Sequence, residues 1–164
     1  MTAVLITGMS ATGKTTLLGE LERRGHAVVD TDTGGWIEPV RLADGTDEPM
    51  WREDRMSTLL NEHAGGTLFV AGCVANQGRF YRRFRAVVLL SVPRDVLVER
   101  LATRSGNEFG RSGEERARIL ADLESVEPLL RRGSTVEIDT RRPLAQVADE
   151  LERLAGVTPR RPAP

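Results

Sequence analysis

A single lysine, Lys14, stands against twenty-two arginines in this chain, and it falls in the run Gly8-Met9-Ser10-Ala11-Thr12-Gly13-Lys14-Thr15. That spacing fits G-x-x-x-x-G-K-S/T. In such a loop the glycines let backbone N–H groups turn toward phosphate oxygens, the lysine reaches the β- and γ-phosphates, and the hydroxyl serves Mg²⁺. Gly8, Ser10, Ala11, Thr12, Gly13, Lys14, Thr15 and Thr16 are the candidate nucleotide-binding residues, and Lys14 also suits a charge-stabilising role in phosphoryl transfer. The competing reading is a glycine-rich turn with an exposed lysine and no ligand, and context decides between them. The loop alone does not say whether a triphosphate would be hydrolysed, used as a switch, or used as a phosphoryl donor.

A second chemistry-bearing group follows at Asp30-Thr31-Asp32. A carboxylate there can hold a Mg²⁺-bound water, or orient and deprotonate a hydroxyl that attacks phosphorus. In an extended stretch alternate side chains share a side, so the two acids can face one pocket; a loop-capping aspartate is the plainer alternative. Trp36 and Arg52 form a candidate wall for a planar or anionic acceptor; equally, Trp51 reads as a core anchor on its helix and Arg52 and Arg55 as a solvated face. Gly72, Cys73 and Asn76 begin a polar loop that suits acceptor binding, with Gln77 beside them. Cys73 reads better as a small buried hydrophobe than as a nucleophile, because no histidine is spaced to serve it. Arg104 and Arg111 flank a glycine-bearing segment that suits a closing lid over the phosphates, against the alternative of an exposed linker.

The elements that would position these residues can be read from apolar runs. Residues 3–7, 27–30, 67–71, 86–91 and 135–139 are expected strands, continuous rather than alternating in hydrophobicity. Residues 14–24, 51–63, 93–102, 117–130 and 143–155 are expected helices, and 38–49 looks irregular. Apolar strands separated by helices imply a mostly parallel sheet covered on both faces. The phosphate loop then lies between the first strand and the first helix, which is its confirming context. We expect a domain over residues 1–156 with a lid at 103–113, followed by a tail at 157–164.

A formal net charge of -1 and 4% aromatic residues argue against nucleic acid or a membrane as partner. The basic cluster Arg79, Arg82, Arg83 and Arg85, with Phe80, Tyr81 and Phe84 interleaved, is short enough to read as a substrate rim. One cysteine, and an N-terminus without a leader pattern, make a cytoplasmic protein the expectation, as monomer or homodimer.

With these residues in view, the chain resembles the small P-loop kinases of the adenylate kinase, shikimate kinase and gluconate kinase group, within the P-loop NTPase superfamily. The resemblance rests on Gly8 to Thr15, on Val28 to Asp32, and on the strand–helix–arginine sequence leading to Arg104. It implies a three-layer α/β fold with a five-stranded parallel sheet of order 2-3-1-4-5, and an AAA-like ATP-binding protein that uses ATP and Mg²⁺. It further implies that Thr15 and Asp30 serve the metal, that Asp32 contacts the acceptor hydroxyl, and that Arg100 and Arg142 border the adenine. The glycine-rich acceptor loop of shikimate kinases is not reproduced around Cys73, so the acceptor is expected only as a small hydroxylated or phosphorylated metabolite. A nucleotide-dependent switch ATPase and a polynucleotide end kinase are the alternatives.

Overall fold

The computed structural model describes residues 2–103 and 113–162. The chain runs β1 (Thr2–Thr7), α1 (Lys14–Arg23), β2 (Ala27–Asp30), β3 (Ile37–Arg41), β4 (Asp47–Trp51), α2 (Glu53–Glu62) and β5 (Thr67–Ala71). A 3₁₀ segment (Gln77–Arg83) leads to β6 (Ala86–Ser91), α3 (Arg94–Thr103), α4 (Gly113–Ser125), α5 (Glu127–Gly133), β7 (Val136–Asp139) and α6 (Leu144–Leu154).

Five strands form one parallel sheet in the order β2-β5-β1-β6-β7. The expected 2-3-1-4-5 was numbered without β3 and β4, which form a separate antiparallel hairpin in the stretch read as irregular. The first two parallel pairs place β1 at the centre, and every residue of β1 after Thr2 is buried. That explains the continuous apolar run: both faces of this strand are covered. Val4 and Ile6 face α1 and α6, packing with Leu17, Leu21, Val147 and Leu151. Ala3 and Leu5 face the other way, onto Trp51, Met56, Leu60 and Phe80. The result is three layers, helix–sheet–helix.

Two expected helices have different bounds. Trp51 ends β4 rather than starting a helix, and α2 begins at Glu53. The helix expected over 117–130 is two helices, α4 ending at Ser125 and α5 starting at Glu127 with proline in its first turn. Pro128 has no N–H to continue the α4 ladder and is accommodated at a helix start instead. Among the described residues no helix is long and apolar enough to cross a membrane.

Candidate active site

The loop after β1 is shaped by what it cannot carry. At Gly8 φ is +149°, and a Cβ there would meet Leu90 O at 2.5 Å and Thr12 Oγ1 at 2.9 Å. Only glycine lets the chain leave the buried strand by this route. Ala11 sits at φ 64°, the one non-glycine with positive φ among the described residues, so the loop holds some backbone strain. The Thr12 hydroxyl donates to Met9 O at 2.8 Å and closes the turn from inside.

Helix α1 then starts at Lys14 with Gly13 as N-cap (φ 100°), no side-chain cap, and no acidic residue in its first turn. Its leading N–H groups are therefore left for a ligand, at the positive end of the helix dipole. The Lys14 Nζ lies over this loop, donating to Gly8 O at 2.6 Å and Met9 O at 2.9 Å. A cavity of about 410 Å³, within the range typical of ligand sites, is lined by Ser10 to Leu17 together with Asp32, Arg100, Thr140 and Arg142.

Strand β2 ends at Asp30, and the loop after it carries Asp32 into the wall of this cavity. The Thr15 hydroxyl donates to Asp30 Oδ2 at 3.2 Å, while Asp30 Oδ1 accepts from the Asp32 backbone N–H at 3.0 Å. A hydroxyl and a carboxylate so placed are the hard oxygen donors that Mg²⁺ takes beside waters and phosphates, so Thr15 and Asp30 fit the expected metal. Asp32 has an open surface yet lines the cavity, and the walls around it raise its pKa by desolvation. Lys14 opposes that rise and the Asp30 charge adds to it.

At the other side of the cavity, Arg100 ties α3 to the loop. Its guanidinium donates to Ala11 O at 3.3 Å, to Thr140 Oγ1 at 3.1 Å and to Thr140 O at 3.0 Å. The Thr140 hydroxyl in turn donates to Thr12 O at 2.7 Å. The turn after β7 is thereby fastened to the phosphate loop, a role for Thr140 that sequence reasoning missed. Arg142 lines the same cavity and pairs with Glu150 at 2.5 Å.

The expected acceptor residues divide. Cys73 and Asp32 line a smaller adjoining cavity of about 180 Å³, with Lys14, Ile119 and Asp122. Burial pushes the Cys73 thiol up in pKa, so it is not a thiolate nucleophile at neutral pH. Asn76 is placed differently from expectation. It is buried, its Oδ1 accepts from Trp51 N at 2.9 Å and its Nδ2 donates to Trp51 O at 3.0 Å, so the amide is committed to the end of β4. Gln77 is likewise engaged, by Val74 N, Thr7 Oγ1 and Tyr81 Oη. Gly72 lies under the Thr31 hydroxyl and the Trp51 indole, where an added Cβ would collide with Thr31 Oγ1 at 2.1 Å and crowd the indole at 3.1 Å.

Trp36 and Arg52 line neither cavity. Trp36 is capped by the Arg55 guanidinium 4.1 Å above its ring, and Arg52 faces Glu38 at 4.0 Å on the exposed side of the hairpin. Arg104 and Arg111 lie outside the described residues. Asp122 was also missed, although its i,i+3 spacing from Ile119 on α4 was legible.

A family model described as an AAA domain matches residues 4–121. No curated protein matches the chain. Among solved structures it is similar to a shikimate kinase from Bacteroides thetaiotaomicron, with 18% identity, 95% of this chain and 99% of that one covered, and a TM-score of 0.64. A shikimate kinase from Acinetobacter baumannii in complex with shikimate matches at 20% identity, covering 94% and 92%, with a TM-score of 0.62. A gluconokinase from Sinorhizobium meliloti 1021 matches at 23% identity, covering 94% of each chain, with a TM-score of 0.58. The fold is thus that of the small P-loop kinases.

Proposed function

The chain belongs to the AAA domain family, and on that premise we propose that it is an ATP- and Mg²⁺-dependent phosphotransferase acting on a small hydroxylated or phosphorylated metabolite. The observation that carries this reading is the convergence of Lys14, the Thr15–Asp30 pair and Asp32 beside one cavity. A switch protein needs the first two parts; a carboxylate placed like Asp32 adds a group suited to a reacting hydroxyl.

In this reading the phosphate loop and the start of α1 hold the triphosphate, with Lys14 against the β- and γ-phosphates. Thr15 and Asp30 would hold Mg²⁺, which would supply positive charge against the developing charge on the phosphates. Asp32 orients the acceptor hydroxyl and accepts its proton, and its raised pKa makes it a better base than an ordinary aspartate. Arg100 and Thr140 keep the turn after β7 against the loop, and with Arg142 they border the base.

The test is a panel of metabolites and nucleosides with γ-labelled ATP, comparing the native protein with Lys14→Met and Asp32→Asn. Lys14→Met is expected to lose transfer by more than about a hundredfold, through lost transition-state charge stabilisation. Full activity in that variant would remove Lys14 from the mechanism, and undiminished transfer by Asp32→Asn would place the acceptor role elsewhere.

A further inference from the structure

Between Asp30 and Asp32 the chain turns one side chain inward. Thr31 is 1% exposed, whereas Asp30 is half-buried and Asp32 is open at the cavity. Alternation along an extended segment sends the residue between two such acids to the opposite side.

A buried hydroxyl needs partners, and this one has two. It donates to Ala71 O at 2.8 Å and accepts from Trp51 Nε1 at 3.0 Å. The Thr31 backbone N–H donates to the same Ala71 O at 2.9 Å. Both partners are themselves fixed. Trp51 is buried, and its backbone N–H and C=O are both held by the Asn76 amide. Ala71 ends β5 opposite Ile6 of β1, and the next residue, Gly72, donates its N–H to Ile6 O at 3.1 Å. Ile6 stands just before Thr7 and Gly8, where the phosphate loop begins. The Thr31 hydroxyl is therefore tied to the strand that carries that loop.

Beyond Thr31 this anchoring stops. Asp32 to Gly35 are all exposed, and Gly34 and Gly35 both have positive φ. Asp30 has anchors of its own, its register opposite Ala71 in the sheet and the Thr15 hydroxyl. Asp32 lies past the end of β2, and its N–H is held only within the turn, by Asp30 Oδ1. Where its carboxylate stands thus depends on the residue before it.

We propose that Thr31 is a positioning residue for phosphoryl transfer, its buried hydroxyl setting the Asp32 carboxylate at a fixed place relative to the phosphate loop. This step rests on the phosphotransferase reading above. Placement of reacting groups is steep: a shift of about 1 Å costs roughly a hundredfold in rate. Thr31→Val keeps the shape and removes both side-chain bonds, leaving the Trp51 indole N–H buried without its acceptor, so the indole and the turn must readjust. Asp30 keeps its anchors, so Mg²⁺ and nucleotide binding are spared. Loss of the hydroxyl therefore lowers kcat and leaves KM for ATP in place.

The experiment compares native protein, Thr31→Val and Thr31→Ser as full chains. Each is assayed for transfer from γ-labelled ATP to the panel of metabolites and nucleosides, and for Mg²⁺-dependent binding of a non-hydrolysable ATP analogue. Thr31→Val is expected to lower kcat about tenfold or more, with analogue affinity unchanged. Thr31→Ser, which restores the hydroxyl, should recover most of the rate. A general loosening of the fold would weaken the analogue as well. Crystal structures with the analogue and Mg²⁺ should show Asp32 displaced by about 0.5 Å or more in Thr31→Val, with Thr15 and Asp30 superimposing on the native protein. If Thr31→Val does not fold, Trp51→Phe takes the N–H from the hydroxyl while keeping an aromatic ring, and should lower kcat severalfold at unchanged analogue affinity. Undiminished kcat, no rescue by serine, an unmoved Asp32, or weakened analogue binding would each overturn the proposal. Native protein that binds the analogue yet labels no acceptor would instead remove the phosphotransferase reading on which it stands.

Discussion

Replacing Gly8 by alanine tests whether the phosphate loop is held by the exit route from β1. At φ +149° a Cβ incurs backbone strain of about 1–2 kcal/mol. It also meets Leu90 O at 2.5 Å, and Leu90 sits in the central sheet where the carbonyl has no room to move. Overpacking of that kind adds about 1–3 kcal/mol. Gly13→Ala is the internal control: its φ is also positive, at +100°, but nothing lies within 4 Å of the added carbon. The strain of a positive φ and the entropy that alanine removes from the unfolded chain are common to both variants and cancel between them, leaving the overpacking. At roughly 2–4 °C per kcal/mol for a chain of this size, Gly8→Ala should melt about 2–12 °C below Gly13→Ala. Differential scanning calorimetry without nucleotide reads the difference. Equal Tm values, or a Gly8→Ala protein as stable as the native one, would refute the argument that Leu90 dictates glycine here.

Three further outcomes follow from particular contacts. Arg24, almost fully buried, holds Glu20 at 2.9 Å and Asp149 and Glu152 at 2.7 Å each, so Arg24→Met strands buried carboxylates between α1 and α6. Breaking such a cluster from one side costs about 3–5 kcal/mol, to be read by urea unfolding, whereas a loss below about 1 kcal/mol would mean the acids relax into water. Asp32, whose pKa is raised mainly by desolvation, binds its proton more tightly folded than unfolded, so its ionisation costs stability once the pH exceeds the ordinary value of about 3.9. Asp32→Asn should therefore raise Tm at neutral pH, with the gain shrinking toward that pH, while native transfer falls on acidification earlier than an ordinary aspartate would allow. Thr140→Val removes the 2.7 Å bond to Thr12 O and a partner of Arg100, and should raise KM for ATP several-fold with little change in kcat at saturation; an unchanged KM would deny the turn after β7 any part in holding the loop.

The parts of the fold written in short, strong local rules were legible. Glycine, lysine and threonine at fixed spacing after a β-branched run identify the loop, because backbone geometry demands them there. Asp30 follows from lying at the end of β2, where parallel strands open toward a ligand. The hairpin was not legible. Its strands carry Pro39 and Pro49 directly opposite each other, with Glu38 and Glu48 nearby, and these are residues that local propensity excludes from sheets. It forms because Trp51 at its end is buried, with its indole N–H on Thr31 Oγ1 at 3.0 Å. Asn76 was read as an acceptor contact for the same reason: a polar residue in a loop looks available until the strand that claims its amide is known.

The central claim is that the γ-phosphoryl group goes to an acceptor rather than to water, and its fate can be followed directly. A single turnover of γ-labelled ATP in ¹⁸O-water, with the panel of metabolites and nucleosides present, separates the two routes by mass. Transfer puts the label in a phosphate ester whose oxygens all come from ATP and the acceptor, and this is the predicted outcome, lost in Asp32→Asn. Label recovered only as inorganic phosphate carrying one ¹⁸O, with every acceptor, would contradict it.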